Sequence, residues 1–185
     1  MTNEMIKGIM SNWETAKEYI RPRLYNKAKA EGVYKSAAFY GFDDLVIVPY
    51  AEFDAKGGKA AVKVTPELIW HWGVPEEDVY KAAEANATGY EFIDMASLIP
   101  FMAEMPMWVA TNADSYYGAY AAIVLRDEIK AKFPDGYIAI PSSVHEFIIV
   151  PKDAGDNASI TEMIGAVNAA EVATPDQLGT HPYFF

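Results

Sequence analysis

Hydrophobic positions repeat along the chain with two periods, and the changes between them mark the elements. Ile6, Ile9, Met10, Trp13, Ala16 and Ile20 recur at helical spacing, with Glu4, Lys7, Glu14, Lys17 and Glu18 mostly between them. That pattern predicts an amphipathic helix over about residues 4 to 20. Arg21-Pro22 ends or kinks it, because proline offers no amide donor and crowds the preceding turn. Leu24 to Ala30 then reads as a second short helix closed by Gly32.

The period next falls to two. Leu45-Val46-Ile47-Val48 is a β-branched run, and Ala61-Val62-Lys63-Val64 alternates beyond the Lys56-Gly57-Gly58-Lys59 turn, so the two predict an antiparallel hairpin. Thr65-Pro66-Glu67 supplies a cap, a proline at the first helical position and an acid in the first turn, for a helix stopped by Gly73. Pro75-Glu76-Glu77-Asp78 starts another helix, to about Ala85, with Val79, Tyr80 and Ala83 on its buried side. Ile99 to Met107 holds Pro100 and Pro106 and reads as irregular packing of Phe101, Met102 and Met105.

Trp108 to Thr111 predicts a strand, and Asp114 a cap for a helix from Ser115 to Phe133 that carries Gly118, Ala122, Leu125, Ile129 and Phe133 on one face. Pro134-Asp135-Gly136 stops it. Tyr137 to Lys152 is the centre of the pattern: two β-rich runs, YIAI and HEFIIV, joined by Pro141, Ser142 and Ser143, predict a hairpin in the middle of a sheet. Ser159-x-x-Glu162 reads as a capping box for a terminal helix to about Glu171, Thr174 to Asp176 as one more helical turn, and Tyr183, Phe184 and Phe185 as aromatics docked on the core.

Together these elements predict an α+β fold: one domain over 1–185, with 1–30 a helical N-terminal arm, a mixed, mainly antiparallel sheet, and helices mainly on one face. Strand 108–111, helix 115–133 and strand 137–141 form a βαβ unit, which puts both strand C-termini at one edge. Thr111, Asn112, Ser142, Ser143 and His145 converge there as candidate ligand-binding residues, beside the N-terminus of the long helix, where unpaired amides favour an anion.

Composition narrows the chemistry. With 51% hydrophobic residues the chain supports a folded core, and the absence of cysteine removes disulfides, zinc thiolates and thiol nucleophiles. A metal site has only His71, His145, His181 and carboxylates to draw on, so no metal and no cofactor is expected. His71 lies between Trp70 and Trp72, which permits a stacking or metal role, but no second ligand follows at helical spacing. The net charge of -11, from 26 acidic and 15 basic residues, opposes a direct grip on a nucleic-acid phosphate backbone. No signal peptide or bilayer-length apolar run is evident, so a cytoplasmic protein that does not engage a membrane is expected.

Three functions fit. A non-catalytic domain binding a protein or a small anionic ligand uses the polar edge. A small hydrolase-like enzyme uses His145 as general base or acid, but on a regular strand Glu146 projects to the opposite face and Ser143 lies roughly 6 to 7 Å away, too far for a direct nucleophile–base bond. An acidic inhibitor mimicking nucleic acid uses Asp43, Asp44, Glu52, Glu76, Glu77 and Asp78 instead.

Ile69-x-x-Trp72-Gly73-Val74-x-Glu76-Glu77 with Asn86, Trp108 to Asn112, Gly118-Ala119, and Pro141-Ser142-Ser143-Val144-His145-Glu146 resemble an uncharacterised bacterial family, a domain of unknown function. The likeness runs from about residue 40 to the C-terminus. Members of that family carry additional sequence ahead of this region, so Met1 to about Ala30 is expected to be a shortened or divergent version. The resemblance implies no activity and no catalytic residue.

Overall fold

The computed structural model describes residues 1–55, 58–98 and 106–185, and it is α+β as the two periods predict. The N-terminal run does not form one long helix. It forms α1 (Asn3–Met10) and α2 (Trp13–Ala16), divided at Asn12, whose side chain accepts from the Glu14 amide and so starts a new helix.

Beyond it the expected second helix is a strand. β1 (Ile20–Asn26), β2 (Lys35–Ser36), β3 (Leu45–Ala55) and β4 (Gly58–Lys63) make the first sheet, with β1 along one side of β3 and β2 and β4 sharing the other. Leu24 pairs with Ile47, and Pro22 faces Pro49. Neither proline has an amide hydrogen, so this is a position where the two strands exchange no ladder bonds. Pro49 sends its carbonyl to Val64 on the other side, and Pro22 turns its nitrogen to the outer edge, where a proline is tolerated.

α3 (Pro66–Trp72) and α4 (Glu76–Ala85) form where their caps predict. Thr65 accepts from the Leu68 amide, and Gly73 closes the first helix with φ of 67°. β5 (Tyr90–Asp94) was not expected, and it leads into α5 (Met95–Leu98). The packing expected of Phe101, Met102 and Met105 lies outside the described residues. β6 (Trp108–Asn112) follows.

The helix expected from Ser115 begins late and is broken: α6 (Ala121–Val124) and α7 (Arg126–Lys132) are separated at Leu125, while Ser115 to Tyr120 stay irregular. β7 (Tyr137–Ser143) and β8 (Glu146–Pro151) form the expected hairpin, though β7 runs on through Ser143 and the turn is Val144-His145. α8 (Asn157–Ala170) is capped by Asp156, which accepts from the Ser159 amide, so Ser159 is the residue bonded to the cap and not the cap itself. β9 (Tyr183–Phe184) ends the chain.

The second sheet has the order β5-β6-β8-β7-β9, with every described pairing antiparallel. β6 and β7 run in the same direction but β8 lies between them. The βαβ unit is therefore split rather than a directly paired parallel couple, and both strand C-termini still reach one edge.

Among the described residues three apolar clusters hold these layers. One lies between the sheets and gathers Leu24, Leu45 and Ile47 with Phe147, Ile149 and Tyr183. A second seats α1 to α4 on the first sheet through Ile6, Ile20, Phe53, Val79 and Tyr80. A third joins α8 to the far face of the second sheet through Ile138, Ile140, Ile160 and Ile164. The terminal aromatics dock as expected of Tyr183 and Phe185: Tyr183 donates to Asp44 at 2.5 Å and Phe185 stacks on Tyr137, while Phe184 stays exposed.

Candidate functional site

The C-terminal ends of β6 and β7 bring all five expected residues to one edge. Thr111 is buried and donates to the carbonyl of His145 at 2.9 Å, which ties β6 to the hairpin turn. Asn112 uses both ends of its amide on Tyr116, accepting from its N–H at 3.0 Å and donating to its carbonyl at 2.9 Å. Gly118 lies flat on this junction. A Cβ there would come within 2.6 Å of the Asn112 nitrogen and 2.7 Å of the His145 carbonyl, so only glycine fits. That contact explains why the helix cannot begin at Ser115: the chain must first press its backbone against β6.

The loop it presses with is strained. Ser115 and Tyr117 have φ of 49° and 52°, a left-handed conformation that is uncommon for a bulky aromatic. His145 holds it, accepting the Tyr117 amide on Nδ1 at 2.9 Å while its ring stacks on Tyr116. With Nδ1 accepting, the ring proton sits on Nε2, which points to Asp176 at 3.9 Å.

The serines are occupied as well. Ser143 accepts from the backbone N–H of His145 at 3.1 Å, and Ser142 donates to Glu146 at 3.2 Å. The amides expected to face an anion are taken too: Ala119 donates to Val144, Ala121 to Gly118 and Ala122 to Ala119.

Behind the edge lies a cluster the sequence did not advertise. Arg23, 4% exposed, projects from β1, donates to Glu52 at 2.8 Å and lies over the rings of Tyr117 at 3.6 Å and Tyr50 at 4.4 Å. Tyr25 stacks on Tyr50 and meets Tyr117. Burial would lower the pKa of Arg23, but Glu52 outweighs it, and the net effect is upward.

Burial, with help from Tyr50, pushes the Tyr25 phenol up to about 12; burial and Tyr25 do the same to Tyr117, also to about 12. Their folded pKa values lie above the unfolded one, so the stability they contribute is whole below pH ~10 and is lost as pH rises through ~12. Spectrophotometric titration is expected to show these phenols ionising late and together with unfolding. Ordinary titration near pH ~10 in a still-folded protein would contradict the burial.

The remaining candidates scatter. His71 is exposed and contacts the Ser11 carbonyl at 3.2 Å, and no group of three or more potential metal ligands occurs among the described residues. Of the acidic set, Glu52 is bound to Arg23, Asp44 to Tyr183 and Asn26, and Glu77 and Asp78 to Lys81, so these four already have partners within the chain. Among the described residues no helix is long and apolar enough to cross a membrane.

A model described as a family of unknown function (DUF5688) matches residues 2–185, a longer span than the resemblance from about residue 40 implied. No curated protein and no solved structure matches the chain.

Proposed function

The chain belongs to the DUF5688 family, which brings no assigned activity, and from that premise we propose that it is a non-catalytic binding domain whose partner meets the edge around His145. The observation that carries this reading is the saturation of the polar groups there. His145 has its Nδ1 lone pair on the Tyr117 amide and its other nitrogen protonated, so it offers no base; Ser143 is turned to the His145 amide and has no base beside it, so it offers no activated nucleophile. What the edge does present outward is the ring of Tyr116, 44% exposed and stacked on His145, whose other side meets Asp176. An exposed aromatic plate with a carboxylate nearby favours a protein surface over a small anion.

Tyr116→Ala removes the plate but leaves the backbone bonds of Tyr116 to Asn112 in place, so it is expected to shift the melting temperature by no more than about 2 °C. Proteins retained by the immobilised wild type are expected to be lost from this variant. His145→Ala, by contrast, strands the Tyr117 amide and is expected to cost about 1 to 3 kcal/mol in chemical denaturation. An ester or phosphoester hydrolysis abolished by His145→Ala in a folded protein would overturn the reading in favour of the enzyme.

A further inference from the structure

On the flank of that edge lies a polar cleft of two lobes, one of about 140 Å³ between the two sheets and one of about 210 Å³ between the first sheet and the N-terminal segment. Arg21, Glu52 and Lys59 border both lobes; Tyr90, Asp114 and Tyr117 close the first, and Glu18, Asp54 and the Met1 ammonium, which donates to the Asp54 carbonyl at 2.7 Å, lie on the second. Each lobe holds about five to seven water-sized groups, which suits a molecule of the size of a free amino acid.

The charges are arranged unequally. Lys59 is ion-paired with Asp114, and this pair ties the two sheets together across the cleft. Arg21 donates through Nη1 to the carbonyls of Glu18 at 2.9 Å and Ile20 at 3.1 Å, and no carboxylate pairs with it among the described residues. Arg21 itself lines both lobes. Glu52 gives one oxygen to Arg23, and its second oxygen has no hydrogen-bond partner among the described residues. Arg21 lies opposite Tyr50 in the β1–β3 register, so it and Glu52 project from the same face of the sheet, two residues apart in register. A free guanidinium and a free carboxylate oxygen thus border the same space without bonding each other.

This geometry points to a binding site for a free α-amino acid, with its carboxylate on Arg21 and its ammonium on Glu52, at the junction of the two lobes. The side chain extends past Tyr90 and Tyr117. A purely anionic ligand meets Glu52 and Asp114 as well as the cations, and a purely cationic one meets Arg21 and Lys59. Only a ligand carrying both signs satisfies both free groups. The site is separate from the protein-binding edge, though Tyr117 contributes its ring to one and its amide to the other.

The test is calorimetric titration of the full chain with L-alanine, L-leucine and L-glutamine, each beside its N-acetyl derivative, which lacks the ammonium, and its α-amide, which lacks the carboxylate. At least one free amino acid is expected to bind saturably, about tenfold or more tighter than either derivative, and Arg21→Gln is expected to weaken it by about tenfold or more. Amide chemical shifts of the wild type provide a readout that does not depend on the variant folding. They are expected to move at Gly89, Tyr90 and Asn112 to Asp114. No saturable binding up to about 10 mM, equal binding of a singly charged derivative, full affinity in Arg21→Gln, or shifts confined to Ser143 to Glu146 would each overturn the proposal. None of these results bears on whether Tyr116 meets a protein.

Discussion

Gly118→Ala is expected to destabilise the protein by about 3 kcal/mol, at the upper end for a small overpacking change, although it adds a single methyl group. The methyl carbon would sit 2.6 Å from the Asn112 nitrogen, 2.6 Å from the Thr111 hydroxyl and 2.7 Å from the His145 carbonyl. Two of these are backbone atoms, one on β6 and one in the hairpin turn, and neither can rotate away as a flexible side chain does. To make room, the chain must separate β6 from the turn and break the Thr111 to His145 bond that joins them. Gly8 provides the control: it lies within α1, a Cβ there meets nothing within 4 Å, and Gly8→Ala is expected to be neutral or stabilising by up to about 1 kcal/mol. Chemical denaturation of both variants decides the matter. If they behave alike, the close approach at Gly118 is wrong.

Arg23→Met should cost a similar amount, about 3 kcal/mol, for a different reason. The methionine keeps much of the aliphatic stem but removes the charge that lies over Tyr117 and Tyr50, and it leaves Glu52 facing a tyrosine cluster without its partner. Glu52 retains 22% side-chain exposure, so water recovers part of the loss and holds the cost near the lower end expected for breaking a buried pair. In a double-mutant cycle with Glu52→Gln, the coupling between the two positions is expected to exceed about 1 kcal/mol. Additive effects would mean that Arg23 acts through packing alone. Because Arg23 also supports the ring of the strained Tyr117, the variant should loosen the loop at Ser115 to Tyr117, which amide exchange reads directly.

The hairpin and the two capped helices were legible because their signals are local. Thr65-Pro66-Glu67 sets a helix start within three residues, and Tyr137 to Val150 alternates and bends with nothing needed from elsewhere. The convergence of Thr111, Asn112, Ser142, Ser143 and His145 was also legible, since it needs only two strands pointing the same way, and that survives the insertion of β8 between them. β1 was not. Arg21-Pro22-Arg23 looks like the end of a helix, and its role as a strand depends on Pro49 and Glu52 coming from β3 to meet the proline and the arginine. The same holds for Ser115 to Tyr120, where helical periodicity was present but Gly118 is claimed by the backbone of β6. The tandem Tyr116-Tyr117 was the available clue to the buried arginine, because a pair of large rings in a loop needs something to pack on.

The facing prolines also govern how this molecule behaves among its neighbours. An outer strand normally invites a further chain to add itself, the step by which sheets extend into fibrils or exchange strands. Along the outer side of β1, Pro22 presents a ring where an incoming strand needs an amide, and the Ile20 carbonyl is already bonded to the side chains of Asn86 and Arg21 at 3.0 and 3.1 Å. An added strand would find two successive outward positions closed. Growth of the first sheet from this side is therefore blocked by the Pro22 ring and by two side chains bonded to the Ile20 carbonyl, so a concentrated solution gains no templated route to aggregation there.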